Sequence, residues 1–330
     1  MTELSLTREQ TRQIMLLAGF TGDADIRFLK PHNHVWELIT PEGTFFLKAP
    51  SKDWYGGDVE REGPTVNHEV EAWDCLAASG LTVPEVVLSF THSENPLGHP
   101  FLLTRKLPGV PLTASLPSNT MDEALQTVGE YLKRMHRIEF QFPGYIMAGG
   151  PSRPLRDGEW THRCWTARKR QQDALDCLET NAFSLPDDLR RVVRSETSSI
   201  GVRLASAYTP PHFVQGDCHA HQFFVDTDRD GVHVTGVVDM EVASAGDSGE
   251  DLLHFFMELS HHLPVESRWW ERFFAGYGEP RFDLFRLRML GVTPIEFQVS
   301  HWPGSYAQIV RHIVRARSWY EIFSLSDIGS

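Results

Sequence analysis

The stretch "FVQGDCHAHQFF", residues 213–224, places a Gly-Asp pair, two histidines and a glutamine between two apolar segments. Asp217 and Gln222 are five positions apart in this polar loop. Because apolar and aromatic residues flank the loop, we expect it to be held rigidly at the edge of a hydrophobic core. A rigid loop that carries a carboxylate and an amide predicts a site for a small ligand.

A second stretch, "GVVDMEVASAGDSGEDLLHF" from residue 236, ends an apolar strand on an acid, Asp239. If residues 223–226 and 234–238 pair as a hairpin, Asp239 converges with Asp217 and Gln222. Asp217 would then be free to act on a hydroxyl, while the amide oxygen of Gln222 and the carboxylate of Asp239 face one cation. Oxygen ligands that leave room for substrate phosphates suit Mg²⁺.

Composition limits the class of protein. The chain has 330 residues, 41% of them hydrophobic and 23% charged, which is ordinary for a soluble globular protein and allows two lobes. A formal net charge of -13 argues against general nucleic-acid binding and is compatible with a cationic small substrate. No segment is long and apolar enough to span a bilayer, so no membrane partner is expected.

The beginning of the chain and its cysteines predict the compartment. "MTELSLTREQ" lacks the basic and apolar regions of a secretion signal. The cysteines form no C-x-x-C pair and indicate reduced thiols; they are Cys75, Cys164, Cys177 and Cys218. We therefore expect a cytoplasmic protein.

The first hundred residues are rich in strand patterns. A capping box at Thr7–Gln10 predicts a short helix that ends at Gly19. The segments "IRFL", "HVWELIT" and "TFFLKA" then predict three strands, with a turn at Pro41–Gly43. A helix is expected in "VNHEVEAWDCLAASG", followed by two strands in "PEVVLSF" and "PFLLTRKL".

After Pro108-Gly109 helical patterns dominate. They cover roughly residues 121–137, 160–179, 187–206, 249–260 and 306–322. The sequence thus predicts an α+β protein with a small β-rich lobe, residues 1–107, a hinge near residues 104–108, and a larger helical lobe, residues 108–330. Two lobes around a hinge form a cleft.

The run Gly-Asp-x-x-x-x-Gln, the strand ending "VVDME" and the segment "AGDSGEDL" together resemble the aminoglycoside phosphotransferase and choline kinase-like family. That family typically reads H-G-D-x-H-x-x-N, then I-D-W-E, then G-D-x-x-x-D-L. The resemblance places Asp217 at the catalytic base, Gln222 at the metal-binding Asn and Asp239 at the main metal-binding Asp. His219 matches a histidine often found there, whereas Gln215 stands where the family has its leading histidine.

The resemblance extends over about residues 25–260 and includes looser motifs in the small lobe. "TFFLKAP" matches the strand with the phosphate-contacting lysine, and "HEVEAWDCLAASGLTVPEVV" matches the helix whose glutamate pairs with that lysine. "HPFLLTRKLPGVPL" looks like the hinge strand. The nucleotide-binding residues that the resemblance implies are Lys48, Glu69, Asn33, Thr104 and Lys106.

The implied fold is the bilobal protein-kinase-like fold, and the implied activity is phosphoryl transfer from ATP, or GTP, with Mg²⁺ to a hydroxyl of a small molecule. Aminoglycoside-like antibiotics and metabolites are the acceptor classes, so antibiotic resistance is one biological role. Asp217 would take the acceptor's proton, while Gln222 and Asp239 would hold Mg²⁺ on the phosphates. Asp247 and Asp251 are assigned to bracing rather than chemistry.

Plainer interpretations exist for the same residues. An Asp after Gly commonly caps a turn, an edge-strand lysine such as Lys48 can protect a sheet, and Glu69 could be a solvated helix residue. Glu241 could be a second metal contact or a supporting residue. The aromatic segment "RWWERFF" is expected in the core rather than in a substrate platform.

Two other functions stay open. A kinase-like module could bind nucleotide without transferring phosphate, which the glutamines at 215 and 222 would favour. A zinc hydrolase using Cys218, His219 and His221 is less favoured, because that spacing does not suit tetrahedral coordination. Acids that could attract a cationic acceptor are Asp157, Glu159, Glu258 and Glu271.

Overall fold

The computed structural model describes residues 4–30, 33–50, 66–113, 116–147, 150–151, 185–198, 210–262, 267–291 and 305–323. Its strands are β1 (Asp25–Lys30), β2 (His34–Thr40), β3 (Gly43–Ala49), β4 (Val86–Phe90), β5 (Phe101–Arg105), β6 (Val110–Pro111), β7 (Gly144–Met147), β8 (Gly150–Pro151), β9 (His212–Val214), β10 (Phe223–Asp228), β11 (Gly231–Val237) and β12 (Ser244–Gly246). Its helices are α1 (Arg8–Leu17), α2 (Val66–Ala78), α3 (Ser118–Met135), α4 (Asp187–Thr197), α5 (Gly249–His262), α6 (Ser267–Tyr277), α7 (Phe282–Gly291), α8 (Tyr306–Arg315) and α9 (Trp319–Phe323).

The N-terminal region is a five-stranded antiparallel sheet in the order β1-β2-β3-β5-β4. Strand β5 is an apolar run because the sheet is covered on both faces. Phe101 and Leu103 pack into a cluster that includes Ile14 and Met15 of α1, while Leu102 between them packs with Trp73 of α2. Helices α1 and α2 therefore lie on opposite faces, and α2 joins the large core shared with the rest of the chain.

The C-terminal region is mostly helical around a smaller set of strands. The predicted hairpin forms from β10 and β11, with Phe223 opposite Val237, and β6 pairs with its other edge. A second small sheet has the order β8-β7-β12-β9. The aromatic segment in α6 lies in the core as expected, since Trp269, Trp270 and Phe273 are all buried.

Helices α3 and α6 pack with their backbones unusually close. A Cβ on Gly276 would lie 2.0 Å from the carbonyl oxygen of Gln126, and one on Gly129 would lie 2.4 Å from that of Phe273. Only glycine fits at both positions, because any side chain would overlap main-chain atoms that cannot move aside. This contact fixes α6 against α3 in the centre of the helical region.

The elements predicted near the N terminus are confirmed, including the capping box in which Thr7 and Gln10 exchange hydrogen bonds. The single helix expected over residues 306–322 is instead two, because Ala316 has an extended backbone (ψ 137°) that ends α8. The helix expected at residues 160–179 lies outside the described residues, and the one at 187–206 is described only to Thr197. In the described part of the chain, no helix is long and apolar enough to cross a membrane.

An α+β architecture with an antiparallel N-terminal sheet and a helical C-terminal part is therefore confirmed. The boundary at residues 107 and 108 stays a prediction. Helix α2 precedes that boundary in sequence, yet its buried residues Ala72, Trp73 and Leu76 pack in the larger core shared with the C-terminal region.

Candidate active site

The loop that carries Asp217 lies between β9 and β10 and is fixed at its first two residues. The backbone N–H groups of Gln215 and Gly216 donate to the two carboxylate oxygens of Asp251, at 2.7 and 2.8 Å. Gly216 has φ 85°, a left-handed conformation that glycine adopts without strain. Asp251 is fully buried and also contacts His136 at 3.1 Å. Asp251 therefore braces the loop, as the sequence predicted.

Asp217 supplies the carboxylate of the loop, and 36% of its side chain is accessible. Its Oδ1 lies 3.2 Å from Nε2 of His219, and the other ring nitrogen of His219 lies 3.7 Å from a carboxylate oxygen of Glu258 on α5. The ring of His221 stacks on that of His219 with centroids 5.2 Å apart. The predicted base is thus accessible to a substrate and held on one side by an imidazole.

The predicted metal-binding amide, Gln222, is buried, with 3% of the residue exposed. Its Oε1 accepts hydrogen bonds from Nε2 of Gln215 at 2.7 Å and from the backbone N–H of His219 at 3.0 Å. Both lone pairs of this oxygen are therefore used inside the protein. The metal-binding role of Gln222 stays a prediction, and in this arrangement its oxygen is not open to a cation.

Lys48 on β3 lies at the centre of an acidic cluster. Its ammonium nitrogen is 2.8 Å from Glu69 of α2, 2.7 Å from Asp239 and 2.8 Å from Glu241. An ammonium has three N–H donors, and each here has a carboxylate partner. The predicted pairing of Lys48 with Glu69 is present, and α2 brings Glu69 to the residues that follow β11.

The charges of this cluster shift one another's pKa. Burial disfavours the charged form of Lys48, but attraction by Asp239, Glu69 and Glu241 outweighs burial and raises its pKa well above the usual 10.5. Burial also disfavours the ionised form of Asp239, but Lys48 and Lys30 outweigh it and lower the pKa of Asp239. For Glu69, burial together with repulsion from the other two acids outweighs Lys48 and raises the pKa.

Asp239 has an unusual backbone conformation as well as a lowered pKa. Its φ of 65° makes it the single non-glycine residue with a positive φ among the described residues. This left-handed conformation is costly for most side chains and tolerated best by Asp and Asn. Such conformations concentrate at functional sites, where the surrounding structure enforces them. Here it turns the chain directly after β11.

Asn33, which the family resemblance singled out and which lies between β1 and β2, joins the same cluster. It is buried, and its Nδ2 donates to Oε2 of Glu241 at 2.6 Å. Lys30, at the end of β1, lies 3.6 Å from Asp239 and was not anticipated from the sequence. In the sequence, Lys30 is marked only by its position next to the β1–β2 turn. Many surface lysines occupy such positions, so this gives no specific indication of a role in the site.

The other two predicted nucleotide contacts lie on or beside β5. Thr104 is nearly buried, opposite Phe46 of β3 and Val86 of β4. Lys106 donates its backbone N–H to Thr44 and places its ammonium 3.3 Å from Glu37. In the part of the chain that the structure describes, neither side chain contacts the Lys48 cluster, so the structure does not bring these two residues together with it.

Asp239 and Glu241 are the residues whose chemistry fits a divalent cation. Three carboxylates surround Lys48, and the second lysine is farther away, so the cluster carries surplus negative charge. Carboxylate oxygens are the hard donors that Mg²⁺ prefers. The described residues contain no three His, Cys, Asp or Glu side chains arranged as a complete metal site. A cation here would therefore need further oxygens from its ligand.

The rival zinc site gains no support from these residues. Cys218 is fully buried among apolar side chains, and burial raises the pKa of its thiol well above the usual value. Zinc binds the thiolate, so a thiol held protonated in a core is a poor ligand.

Comparison with known proteins places the chain in a family. Residues 28–290 match the model of the family described as "Phosphotransferase enzyme family" (APH). No match was found among curated proteins. Because the family model covers well over half of the chain, the protein belongs to this phosphotransferase family, and its class is that of phosphotransferases acting on small molecules.

Solved structures of similar fold agree with this assignment. The GDP and kanamycin complex of APH(2")-IIIa is 19% identical, with TM-score 0.58, covering 96% of this chain and 95% of that one. The streptomycin–ATP complex of APH(2")-IIa is 16% identical, with TM-score 0.53 and coverages of 98% and 96%. APH(3'')-Id from Streptomyces rimosus, in complex with ADP and streptomycin, is 18% identical, with TM-score 0.51 and coverages of 86% and 97%. At these identities the likeness shows the fold, which is the predicted kinase-like one.

Proposed function

We propose that the protein transfers the γ-phosphate of ATP, with Mg²⁺, to a hydroxyl of a small molecule, either an aminoglycoside-like antibiotic or a metabolite. The observation that carries this proposal is the cluster around Lys48. A partly buried lysine that contacts a helix glutamate and two acids after a strand is the arrangement expected where nucleotide phosphates and a cation bind.

Asp217 is proposed as the residue that orients the acceptor hydroxyl and accepts its proton. Its carboxylate is accessible, whereas the neighbouring acid Asp251 is fully buried and engaged with the loop backbone. The 3.2 Å contact with His219 fixes the direction of the Asp217 carboxylate. A base held in place in this way lowers the barrier by positioning the hydroxyl.

Lys48, oriented by Glu69, is proposed to contact the nucleotide phosphates. All three donors of Lys48 face carboxylates in the structure, so a phosphate would have to replace at least one of them. Asp239 and Glu241 are the residues that would hold Mg²⁺, which neutralises negative charge on the phosphates when bound. Asn33 would hold Glu241 in place through its 2.6 Å hydrogen bond.

The acceptor is proposed to be hydroxyl-bearing and cationic. The net charge of -13 and the buried acid Glu258, 3.7 Å from His219 beside the proposed base, both favour a positive group on the acceptor. Kanamycin or streptomycin is bound in each of the three similar structures described above, which supports testing that class first. Of the other acids considered, Glu271 is exposed, and Asp157 and Glu159 lie outside the described residues.

The test is a nucleotide-turnover screen over aminoglycosides and hydroxyl-bearing metabolites, with ATP and GTP compared in parallel. We expect Mg²⁺-dependent turnover with at least one acceptor, and loss of that turnover in Asp217→Asn. Nucleotide affinity should stay within about threefold of the parent, since the proposed role of Asp217 involves the acceptor hydroxyl and not the phosphates. Full turnover in Asp217→Asn would contradict the assignment. Mg²⁺-dependent nucleotide binding without transfer to any acceptor would favour the non-catalytic alternative.

A further inference from the structure

We infer that Gln215 and Gln222 act as one unit that positions the loop carrying Asp217 relative to the strand end carrying Asp239, and that Gln222 is a positioning residue rather than a metal ligand. The first half of this inference stands on the hydrogen bonds of the two glutamines. The second half, concerning the metal, rests on the proposed function.

The orientation of both amides is determined by their partners. The backbone N–H of His219 can only donate, so the atom of Gln222 that faces it at 3.0 Å must be Oε1. The Gln215 amide atom next to Oε1 of Gln222, at 2.7 Å, also lies 3.1 Å from the carbonyl oxygen of Val238. Two acceptors require a donor, so this atom is Nε2.

The pair joins three parts of the chain. Gln215 follows β9, and Gln222 ends the short 3-10 turn Ala220–Gln222 before β10, so their contact joins the first and last residues of the loop. Both main-chain groups of Val238 are held: its carbonyl accepts from the side chain of Gln215, and its N–H donates to the carbonyl of Gln222. Val238 immediately precedes Asp239. The two glutamines therefore set where Asp239 lies relative to Asp217.

The same contacts remove Gln222 as a cation ligand. Its oxygen already accepts two hydrogen bonds, and the residue is 3% exposed. Binding a cation would leave the buried N–H of His219 or the amide of Gln215 without an acceptor, which is costly in a buried site. The side chains of Asp239 and Glu241 are 21% and 15% exposed, so they can contact a cation without disrupting the hydrogen bonds of the loop.

This pairing also explains why the chain departs from the family pattern at two positions. Gln215 and Gln222 stand where the resemblance expects His and Asn. The two departures lie 2.7 Å apart and form one hydrogen bond. A shorter amide at residue 222 would retract the acceptor that Gln215 needs, so the two changes depend on each other.

The test is a double-substitution cycle with Gln215→Met, Gln222→Met and both together, since Met keeps the volume but can neither donate the bonds of Gln215 nor accept those of Gln222. We expect each single change to lower Tm by roughly 2–4 °C. The decrease in Tm of the double variant should be clearly smaller than the sum of the two single decreases, because the hydrogen bond between the two glutamines is already broken in each single variant. Gln222→Glu, which keeps acceptor oxygens, should recover at least half of the Tm lost in Gln222→Met. Additive losses, or no recovery, would overturn the coupling.

The metal half is tested by the Mg²⁺ concentration that gives half-maximal nucleotide binding, measured by calorimetry. Gln215→Met and Gln222→Met should change it by the same factor, within about threefold of each other, while Asp239→Asn raises it by roughly tenfold or more. A requirement in Gln222→Met tenfold above that of Gln215→Met would make Gln222 a ligand. If the parent binds no Mg²⁺-nucleotide, the proposed function fails, yet the Tm cycle still decides whether the glutamines act as one unit.

Discussion

At the scale of single residues, the centre of the site is one cation among three anions. Lys48 uses all of its donors on Glu69, Asp239 and Glu241, and only 14% of its side chain is exposed. Removing one partner from a buried charge cluster leaves uncompensated charge, which costs more than an exposed ion pair. The cluster therefore holds the small sheet, α2 and the segment after β11 together through charge.

Lys48→Met is expected to lower the free energy of unfolding by about 3 kcal/mol. The pKa of Lys48 is raised well above 10.5 in the folded protein, so its contribution is present in full below about pH 10.5 and lost only above that pH. The difference in stability between parent and variant should therefore stay constant from pH 7 to 10, measured by urea unfolding. Lys106→Met, which removes the charge of a side chain that is 44% exposed, is the control and should cost no more than about 1 kcal/mol.

If the difference in stability between the parent and Lys48→Met decreases between pH 7 and pH 9, Lys48 loses its proton within that range. The three-carboxylate cluster would then not have the influence on Lys48 described above.

Asp239→Asn is expected to weaken Mg²⁺-nucleotide binding by tenfold or more while leaving metal-free nucleotide binding nearly unchanged. The substitution suits the left-handed backbone, because Asn tolerates a positive φ as well as Asp does. Calorimetry with and without Mg²⁺ measures both affinities. Asp230→Asn, in the exposed turn between β10 and β11, is the matched control. Equal Mg²⁺ dependence in the two variants would place the metal elsewhere.

At the scale of elements, α2 connects the two regions of the molecule. Nε1 of Trp73 donates to the carbonyl of Val237 at 3.0 Å. The ring of His68 lies between the carbonyl oxygens of Glu241 and Ala243, each at 2.7 Å. Burial lowers the pKa of His68 despite these two carbonyls. Helix α2 thus places Glu69 next to Lys48, and its side chains contact backbone carbonyl oxygens before Asp239 and at and after Glu241.

The contact between α3 and α6 gives an element-scale prediction. Gly276→Ala should destabilise the protein by about 2–3 kcal/mol or more, because the added Cβ would overlap the carbonyl of Gln126 and push the helices apart. Gly246→Ala is the control, since its Cβ would lie 3.7 Å from the nearest atom, a methyl of Val214. Thermal unfolding compares the two. A Gly276→Ala variant as stable as Gly246→Ala would show that the helices do not pack as closely as described.

At the scale of the whole molecule, the cluster between the sheet and the helical region should couple ligand binding to stability. A ligand bound only by the folded state, at one hundred times its Kd, adds about 2.7 kcal/mol. Mg²⁺ with ATP, or with GTP, should therefore raise Tm by several degrees, and the rise should be much smaller in Asp239→Asn. No rise with either nucleotide at millimolar concentration would contradict nucleotide binding by this protein.

Much of the fold and several site residues follow from local sequence patterns. The strands β2, β3 and β5, helix α1 with its capping box, and the β10–β11 hairpin were predicted from periodicity, turn residues and caps, which act over a few residues. The break at Ala316 was missed, because apolar spacing continues through it and a change in backbone direction leaves no periodic signal. The aromatic segment of α6 was correctly assigned to the core, because its aromatic residues fall at helical spacing.

The sequence by itself determined the family, the two-region architecture and the identity of the charged residues, because each depends on residue types at fixed spacing. Only the tertiary structure decided which side-chain oxygens of the site can contact a cation. Lys48 meets Glu241 as well as Asp239, and Gln222 turns its oxygen toward Gln215 and away from solvent. Residues 48 and 241 are far apart in sequence, and an amide's partner depends on three-dimensional contacts. The spacing of residues cannot encode that choice, since it reports position along the chain and not direction in space.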